Sequence, residues 1–479
     1  MKIFKRDAYD EMLEWKKRRE SKNGHGAHAL EIRGPRQCGK TTLINQFARD
    51  NYKRVVSIHL GDEKHVEIKN EWKALDVSEN FPPSKHRHEY IYNLLRRFDE
   101  GFVDSCDTVI LIDEIQECHH VHRLIRTMAW EFESHLIVSG SYLTFILENK
   151  DFFLPAGATH TINLTPLTFA EFLGIFEAKR ELYDSIDLYG GSEDRHYDEL
   201  KGLYDVYCRI GGYPSVVQVY LDGLGAAAVD LELERIIKVF SDEVVRYMDS
   251  KIDKAIFPAL LGGIAEIMMR EKKGQPDLIN ELLKLSKKDE RLKVSREMLV
   301  HAVAWLEGCG IVGYAVKMNE CKFNDRAGFA RFYYMDLGIA NIFLREWTME
   351  GMMEGLLSEN FAYLQLRPMI LAQNLVPKSP AFGTYKDGEI DFILFNMNGG
   401  TSYGLEVKHG KTSSNTAERL LSDGVVDHVV YAKGDTKGGK AERIITIPLY
   451  LLGRFSFEDF TGKAARVLEI PEVFSVGSS

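Results

Sequence analysis

Eight residues, Gly34-Pro35-Arg36-Gln37-Cys38-Gly39-Lys40-Thr41, constrain this chain more than any other feature, because they fit Gly-x-x-x-x-Gly-Lys-Ser/Thr at every fixed position. The flanks agree with the motif. Ala29-Leu30-Glu31-Ile32 reads as a short strand, and Thr42-Leu43-Ile44-Asn45-Gln46-Phe47-Ala48 opens an amphipathic helix. A strand, a glycine-bearing loop and a helix start together make a phosphate cradle of the Walker A type. The glycines let backbone N–H groups turn inward, and the helix N-terminus adds partial positive charge. Lys40 is expected to neutralise the outer phosphates and Thr41 to coordinate Mg²⁺, with Thr42 completing the loop.

A second motif fits the same chemistry. Thr108-Val109-Ile110-Leu111-Ile112-Asp113-Glu114 is a continuous apolar run ending in two carboxylates, as suits a central parallel strand covered on both faces. Asp113 would emerge at the carboxyl end of that strand, where α/β sheets bind ligands, and hold the Mg²⁺ shell. Glu114 is placed to act as general base on the attacking water. The stretch between Lys40 and Asp113 leaves room for a further strand near Val55–Leu60 and a helix near His88–Phe98. A third strand, Leu136-Ile137-Val138, leads into Ser139-Gly140-Ser141, so Ser139 or Ser141 is a candidate sensor of the γ-phosphate. Gln116 either orients the water or sits exposed on the following helix.

With 479 residues, 45% of them hydrophobic and 28% charged, the chain is long enough for two or three soluble domains, each with its own core. The formal net charge of −10 excludes a generic polyanion binder, so nucleic-acid contact would need a local basic face. Phe257–Met269, the longest apolar stretch, is too short to cross a bilayer, and Met1–Asp7 has no apolar signal core. Six cysteines without a Cys-x-x-Cys pair fit reduced thiols, and a cytoplasmic location is expected. Cys118, His119, His120 and His122 match no common zinc spacing, and zinc is not expected there.

Further along, Asp7–Arg19 reads as an opening helix, and a helical region begins at Thr165–Leu173. Asp184–Asp198 looks like a surface insertion, and Gly211-Gly212-Tyr213-Pro214 breaks one helix and starts another. A helical pattern fills residues 226 to 290. Ser295 then caps a helix over Glu297–Glu307, followed by strands Ile311–Val316 and Arg331–Tyr334. Helix, helix, hairpin is the outline of a winged helix, a module that serves DNA contact or protein packing; the sequence leaves both open. Glu359–Leu366 reads as a helix, and Glu389–Phe395 and Tyr403–Lys408 as strands joined by an Asn-Gly-Gly turn.

Strand alternation puts Glu406 and Lys408 on one face, where Asp391 from the neighbouring strand and Glu359 from the helix can meet them. Converging carboxylates need a divalent cation or a shared proton. Glu359, Asp391 and Glu406 are therefore candidate Mg²⁺ ligands, with Lys408 beside the attacking water as it would be in phosphodiester cleavage. A solvated salt-bridge cluster is the structural alternative.

Taken together, these segments resemble the large family of bacterial and archaeal AAA+-type ATPases that carry a domain of unknown function behind the ATPase core. The resemblance rests on Gly34–Thr42, Leu111–Gln116, Ser139–Ser141, Pro166–Phe172, Gly211–Pro214, Phe332–Gly338, Ser358–Phe361, Glu389–Phe392 and Glu406–Lys408. It implies an α/β fold class in three parts: an AAA+-like P-loop parallel sheet with a helical extension (1–220), a helical and winged-helix region (221–350), and a restriction-endonuclease-like α/β domain (351–479). Relatives tend to carry Gly-Arg where this chain has Gly157-Ala158, so an arginine supplied there is absent, with Arg246 and Arg126 as candidate substitutes. The expected activity is an ATP-hydrolysing switch with ATP and Mg²⁺ as cofactors. Its output is either a Mg²⁺-dependent nuclease acting on DNA or nucleotide-controlled binding of DNA or a protein partner. Self-assembly is compatible with the resemblance, and no membrane partner is expected.

Overall fold

The computed structural model describes residues 3–21, 28–74, 84–118, 121–141, 159–247, 256–270, 278–286, 295–346, 350–410 and 414–458. The chain divides into two compact units, each assembled from three segments. Met1–Glu177, Ile210–Asp249 and Val300–Val312 form the first, and Ala178–Arg209, Ser250–Leu299 and Gly313–Ser479 the second.

In the first unit, β1 (Ala29–Arg33), β2 (Arg54–His59), β3 (Thr108–Asp113), β4 (His135–Gly140) and β5 (Thr159–Asn163) form one sheet in the order β2-β3-β4-β1-β5. Every registered pair is parallel. The phosphate-loop strand β1 is thus separated from the acidic strand β3 by the inserted β4. All six residues of β3 are buried, which explains its unbroken apolar run. Val109 and Leu111 pack with Leu43, Phe47 and Trp15 on one face. Ile110 and Ile112 pack with Trp72, Leu124 and Met128 on the other. The opening helix spans Ala8–Glu20, and the helices Lys40–Asn51, Ser84–Phe98 and Val121–Glu131 follow β1, β2 and β3 as parallel crossovers require. Farther along the chain, Pro214–Leu221 and Ala226–Tyr247 add two helices to this unit.

Along the second half of the chain come helices Ile256–Arg270, Leu278–Ser286 and Arg296–Gly308, then β6 (Val312–Met318) and β7 (Arg326–Tyr334). The Ser295 hydroxyl accepts from the Met298 N–H at 3.2 Å, the expected cap. In the second unit the hairpin is extended: β9 (Ala381–Tyr385) pairs parallel with β6, and β10 (Gly388–Ile390) with β9, giving a sheet β10-β9-β6-β7. A second sheet runs β14 (Gly439–Ala441), β15 (Ile444–Pro448), β13 (His428–Lys433), β12 (Thr401–Lys408), β11 (Phe392–Asn396) and β8 (Leu375–Val376).

Glu389–Phe395, read from sequence as one strand, is two. Phe392 pairs with Leu405, but the next N–H that could serve the ladder, on Val407, donates instead to the Asp391 carboxylate at 2.7 Å. The side chain takes the place of a backbone acceptor, and the chain passes at Asp391 from one sheet to the other. Among the described residues no helix is long and apolar enough to cross a membrane.

Candidate functional site

The phosphate loop has the backbone its glycines predict. Gly34 has φ +155°, and a Cβ there would lie 2.0 Å from the Leu164 carbonyl oxygen, so only glycine fits against the chain leaving β5. Gly39 caps the helix Lys40–Asn51 at φ 97°. Lys40, 5% exposed, donates to the Gly34 carbonyl (3.0 Å), the Pro35 carbonyl (2.8 Å) and Ser141 Oγ (2.8 Å). Thr41 Oγ1 donates to Asp113 Oδ2 at 2.6 Å, which joins the two motifs across the inserted strand. Asp113 Oδ1 accepts from the Glu114 N–H at 2.9 Å and from the Ser139 hydroxyl. The two serines therefore divide: Ser139 meets the acid and Ser141 meets the lysine.

Glu114 adopts the left-handed conformation (φ 55°, ψ 47°), a costly one for a residue with a side chain. That turn directs its carboxylate toward Arg36, 3.6 Å away, and toward the Gln116 side-chain amide, which donates to it. Gln116 Oε1 in turn accepts from the Ser141 N–H at 3.2 Å. Gln116 lies buried in a 3₁₀ turn, Ile115–Glu117, before the next helix begins at Val121, so it is not exposed on that helix.

A cavity of about 440 Å³, within the range of small-molecule sites, opens over these groups. Arg36, Gln37, Gly39, Lys40, Thr41, Thr42, Glu114 and Ser141 form one side, while Ile3, Phe4, Pro214, Ser215 and Val239 supply a largely apolar wall. Pro35 and Cys38 lie in the loop, where Cys38 is fully buried. Two arginines that sequence reasoning missed also line it, Arg6 and Arg235. Arg6 is buried and donates to Glu171 Oε1 (3.1 Å), the Cys38 carbonyl (2.7 Å) and the Thr165 carbonyl (2.6 Å), clamping the phosphate loop to the segment after β5. Glu171 also completes a capping box with Thr168, a spacing visible in the sequence; Arg6 gave no such signal. Arg235 pairs with Glu232 at 2.6 Å. Arg126 is exposed on its helix and does not line the cavity. Gly157, Ala158, His119, His120 and the side chains of His122 and Arg246 lie outside the described residues.

In the second unit, Glu406 is buried and its Oε1 pairs with Lys408 Nζ at 2.6 Å, while its Oε2 has no hydrogen-bond partner among the described residues. Burial, then the neighbouring Glu406 and Glu359, holds the Asp391 carboxyl well above the ordinary range; burial also raises Glu406. Burial pulls the Lys408 ammonium down, but Glu406 and Asp391 outweigh it and hold it above its usual value.

Glu359 is differently engaged. Tyr333 Oη donates to it at 2.5 Å and Arg331 Nη1 at 3.2 Å. Arg331 is 6% exposed, also meets Glu389 at 2.9 Å, and lies 4.2 Å over the Phe382 ring. Neither Arg331 nor Tyr333 was legible as a partner. Among the described residues no group of three or more His, Cys, Asp or Glu side chains is arranged to hold a metal ion. Lys408 and the pair Asp391 and Glu406 are brought together, while Glu359 is committed to an arginine and a tyrosine.

With this geometry in hand, comparison with known proteins places the first unit. Residues 27–173 match the model of a family described as an AAA domain, and all five strands of the first sheet lie within that stretch. No curated protein matches the chain. Similar solved structures include the Walker-type ATPase PABY2304 of Pyrococcus abyssi, at 13% identity and TM-score 0.42, covering 72% of this chain and 96% of that one. The Aeropyrum pernix Orc1 protein in complex with DNA is 14% identical, with TM-score 0.27 over 66% of this chain and 86% of its own. The Thermotoga maritima RuvB Holliday junction branch migration motor is 13% identical, with TM-score 0.29 over 65% and 90%.

Proposed function

We propose that the first unit binds and hydrolyses ATP and that its nucleotide state controls the carboxylate centre of the second. The observation that carries the first half is the contact of Thr41 with Asp113 beside the Lys40–Ser141 bond, which brings both motifs onto one cavity. Lys40 and the loop N–H groups of Gly34 to Thr42 bind the phosphates. The Thr41 hydroxyl and Asp113 carboxylate, 2.6 Å apart, are the donor types a magnesium ion takes in such loops, so the residues fit it. Magnesium, when bound, neutralises charge on the phosphate oxygens. Glu114 accepts the proton of the attacking water, and Gln116 fixes the carboxylate that does so. Ser141 reports phosphate occupancy to Gln116 through its own N–H.

In Glu114→Gln, ATP affinity should persist while turnover falls at least 100-fold, measured by calorimetry and phosphate release. Unchanged turnover would remove Glu114 from the mechanism.

For the second unit we propose a nuclease-like centre acting on nucleic acid through Asp391, Glu406 and Lys408. Asp391 and Glu406 fit a divalent cation as a pair, since a buried, unbonded Glu406 oxygen beside a second carboxylate favours a cation. Glu359 fits as an anchor for Arg331, not as a ligand. That commitment favours a second reading, in which the centre binds DNA or a protein under nucleotide control without cutting. Cleavage of labelled DNA and RNA in Mg²⁺ or Mn²⁺, lost in Asp391→Ala, selects the first reading; absence of cutting in the wild type selects the second. The division 1–220, 221–350 and 351–479 is proposed as a division of labour between nucleotide, connecting and output regions.

A further inference from the structure

β12 and β13 run parallel with Glu406 opposite Tyr431 and Lys408 opposite Lys433. Residues in register on neighbouring strands share a face, so Lys433 stands beside Lys408 at the carboxyl end of the sheet. Its ammonium lies 4.9 Å from the centroid of the Tyr431 ring. That ring is itself fixed, because Tyr431 Oη accepts from the Ser414 N–H at 3.3 Å. Lys433 is therefore a placed cation, not a freely sweeping surface lysine.

Two lysines side by side repel each other. Burial and the charge of Lys408 hold the Lys433 ammonium below its ordinary value, while Glu406, 2.6 Å from Lys408, partly offsets the charge of Lys408. Lys433 also lines a cavity of about 360 Å³ with Thr436 and Thr446, whose hydroxyls can donate to a phosphate, while Lys201 and Lys437 line it already paired with Asp205 and Asp194. Asp198 and Asp435 line it as well, which opposes a long polyanionic track through the cavity.

We infer that Lys433 seats a backbone phosphate of a nucleic acid next to the phosphate facing Lys408, making it a positioning residue for the strand. This rests on the nuclease-like reading for the identity of the polymer, but it concerns binding and not cleavage. The contact is to the backbone, so it should act uniformly across base sequences.

The test is binding of a labelled 20-nucleotide single strand and the matching duplex to the full chain in EDTA, across a salt series. Lys433→Gln should weaken binding about 5- to 10-fold at moderate salt and reduce the slope of log affinity against log salt by about 0.7 to 0.9, the loss of one phosphate contact. Lys433→Arg should restore both, and neither variant should lower the thermal midpoint. Equal affinity and slope in Lys433→Gln, or no nucleic-acid binding by the wild type, overturns the inference. Cleavage is scored separately: a wild type that binds but never cuts removes the nuclease reading alone, whereas one that cuts while Lys433→Gln binds as tightly removes this inference alone.

Discussion

His135 shows how a single side chain can tie stability to pH away from the phosphate loop. It begins β4, is buried, and shares a short hydrogen bond (2.6 Å) with Tyr52 Oη, while Trp15 meets its ring edge-on. Burial, reinforced by the charge of Arg19, pulls its imidazole from an ordinary 6.5 to about 4. Between those values the folded chain binds fewer protons than the unfolded one, so the contribution is full above pH 6.5 and is lost as pH falls toward 4. The loss is on the order of 3 kcal/mol. Denaturation at pH 7 and pH 4.5 should show a smaller acid loss in His135→Gln than in the wild type, and equal losses would clear His135. None of this is written in the sequence, where His135 is one polar letter before an apolar run. The same holds for Arg6. Lys40, Thr41 and Asp113 were legible because their chemistry fixes their spacing from a strand end or a helix start. Arg6 and Arg331 act through partners distant along the chain, and only folding reveals which carbonyl or carboxylate each one meets.

Elements built from long periodic runs were readable, and those that depend on a side chain replacing backbone were not. β3 follows directly from its apolar run and β12 from the alternation over Tyr403–Lys408, whereas the break between β10 and β11 depends on Asp391 capturing the Val407 N–H. The hairpin β6–β7 was legible as a hairpin, but its extension by β9 required knowing that Val316 pairs with Ala381. β7 contributes more than pairing, since it carries Arg331 to Glu359 on the helix Glu350–Ala372 and to Glu389 on β10. Removing one member of a buried ion pair typically costs about 3–5 kcal/mol, because the remaining charge loses its partner. Glu359 and Glu389 are only partly buried, so Arg331→Met should destabilise the second unit by less than that, about 2 kcal/mol, and adding Glu359→Gln should recover part of it. Urea unfolding of both single variants and the double variant measures the coupling. Additive losses would mean that the pair holds nothing together.

At the level of the whole chain, the cavity over the phosphate loop is not contained in the stretch matched by the AAA-domain family. That match ends at residue 173, yet Pro214, Ser215, Arg235 and Val239 line the same cavity as the phosphate loop. They arrive on helices Pro214–Leu221 and Ala226–Tyr247, which join the first unit after the chain has contributed Ala178–Arg209 to the second. Tyr213 and Pro214 follow a glycine that nothing larger can replace: a Cβ on Gly212 would lie 2.0 Å from the Leu167 carbonyl oxygen. The Gly-Gly-Tyr-Pro segment thus brings the returning helices close to the core, a purpose its sequence announces only as a helix break. A protein cut after residue 177 keeps the phosphate loop, Asp113, Glu114 and Arg6 but loses this wall. It should bind ATP at least about 10-fold more weakly than the intact chain, since apolar contact with the base and sugar supplies much of a small ligand's affinity. Arg235→Ala and Val239→Asp in the intact chain, compared by calorimetry, separate loss of the wall from failure of the fragment to fold. Full affinity in both intact variants would mean that the nucleotide is gripped by the phosphate loop alone, and that the helices beyond residue 210 serve some purpose other than holding it.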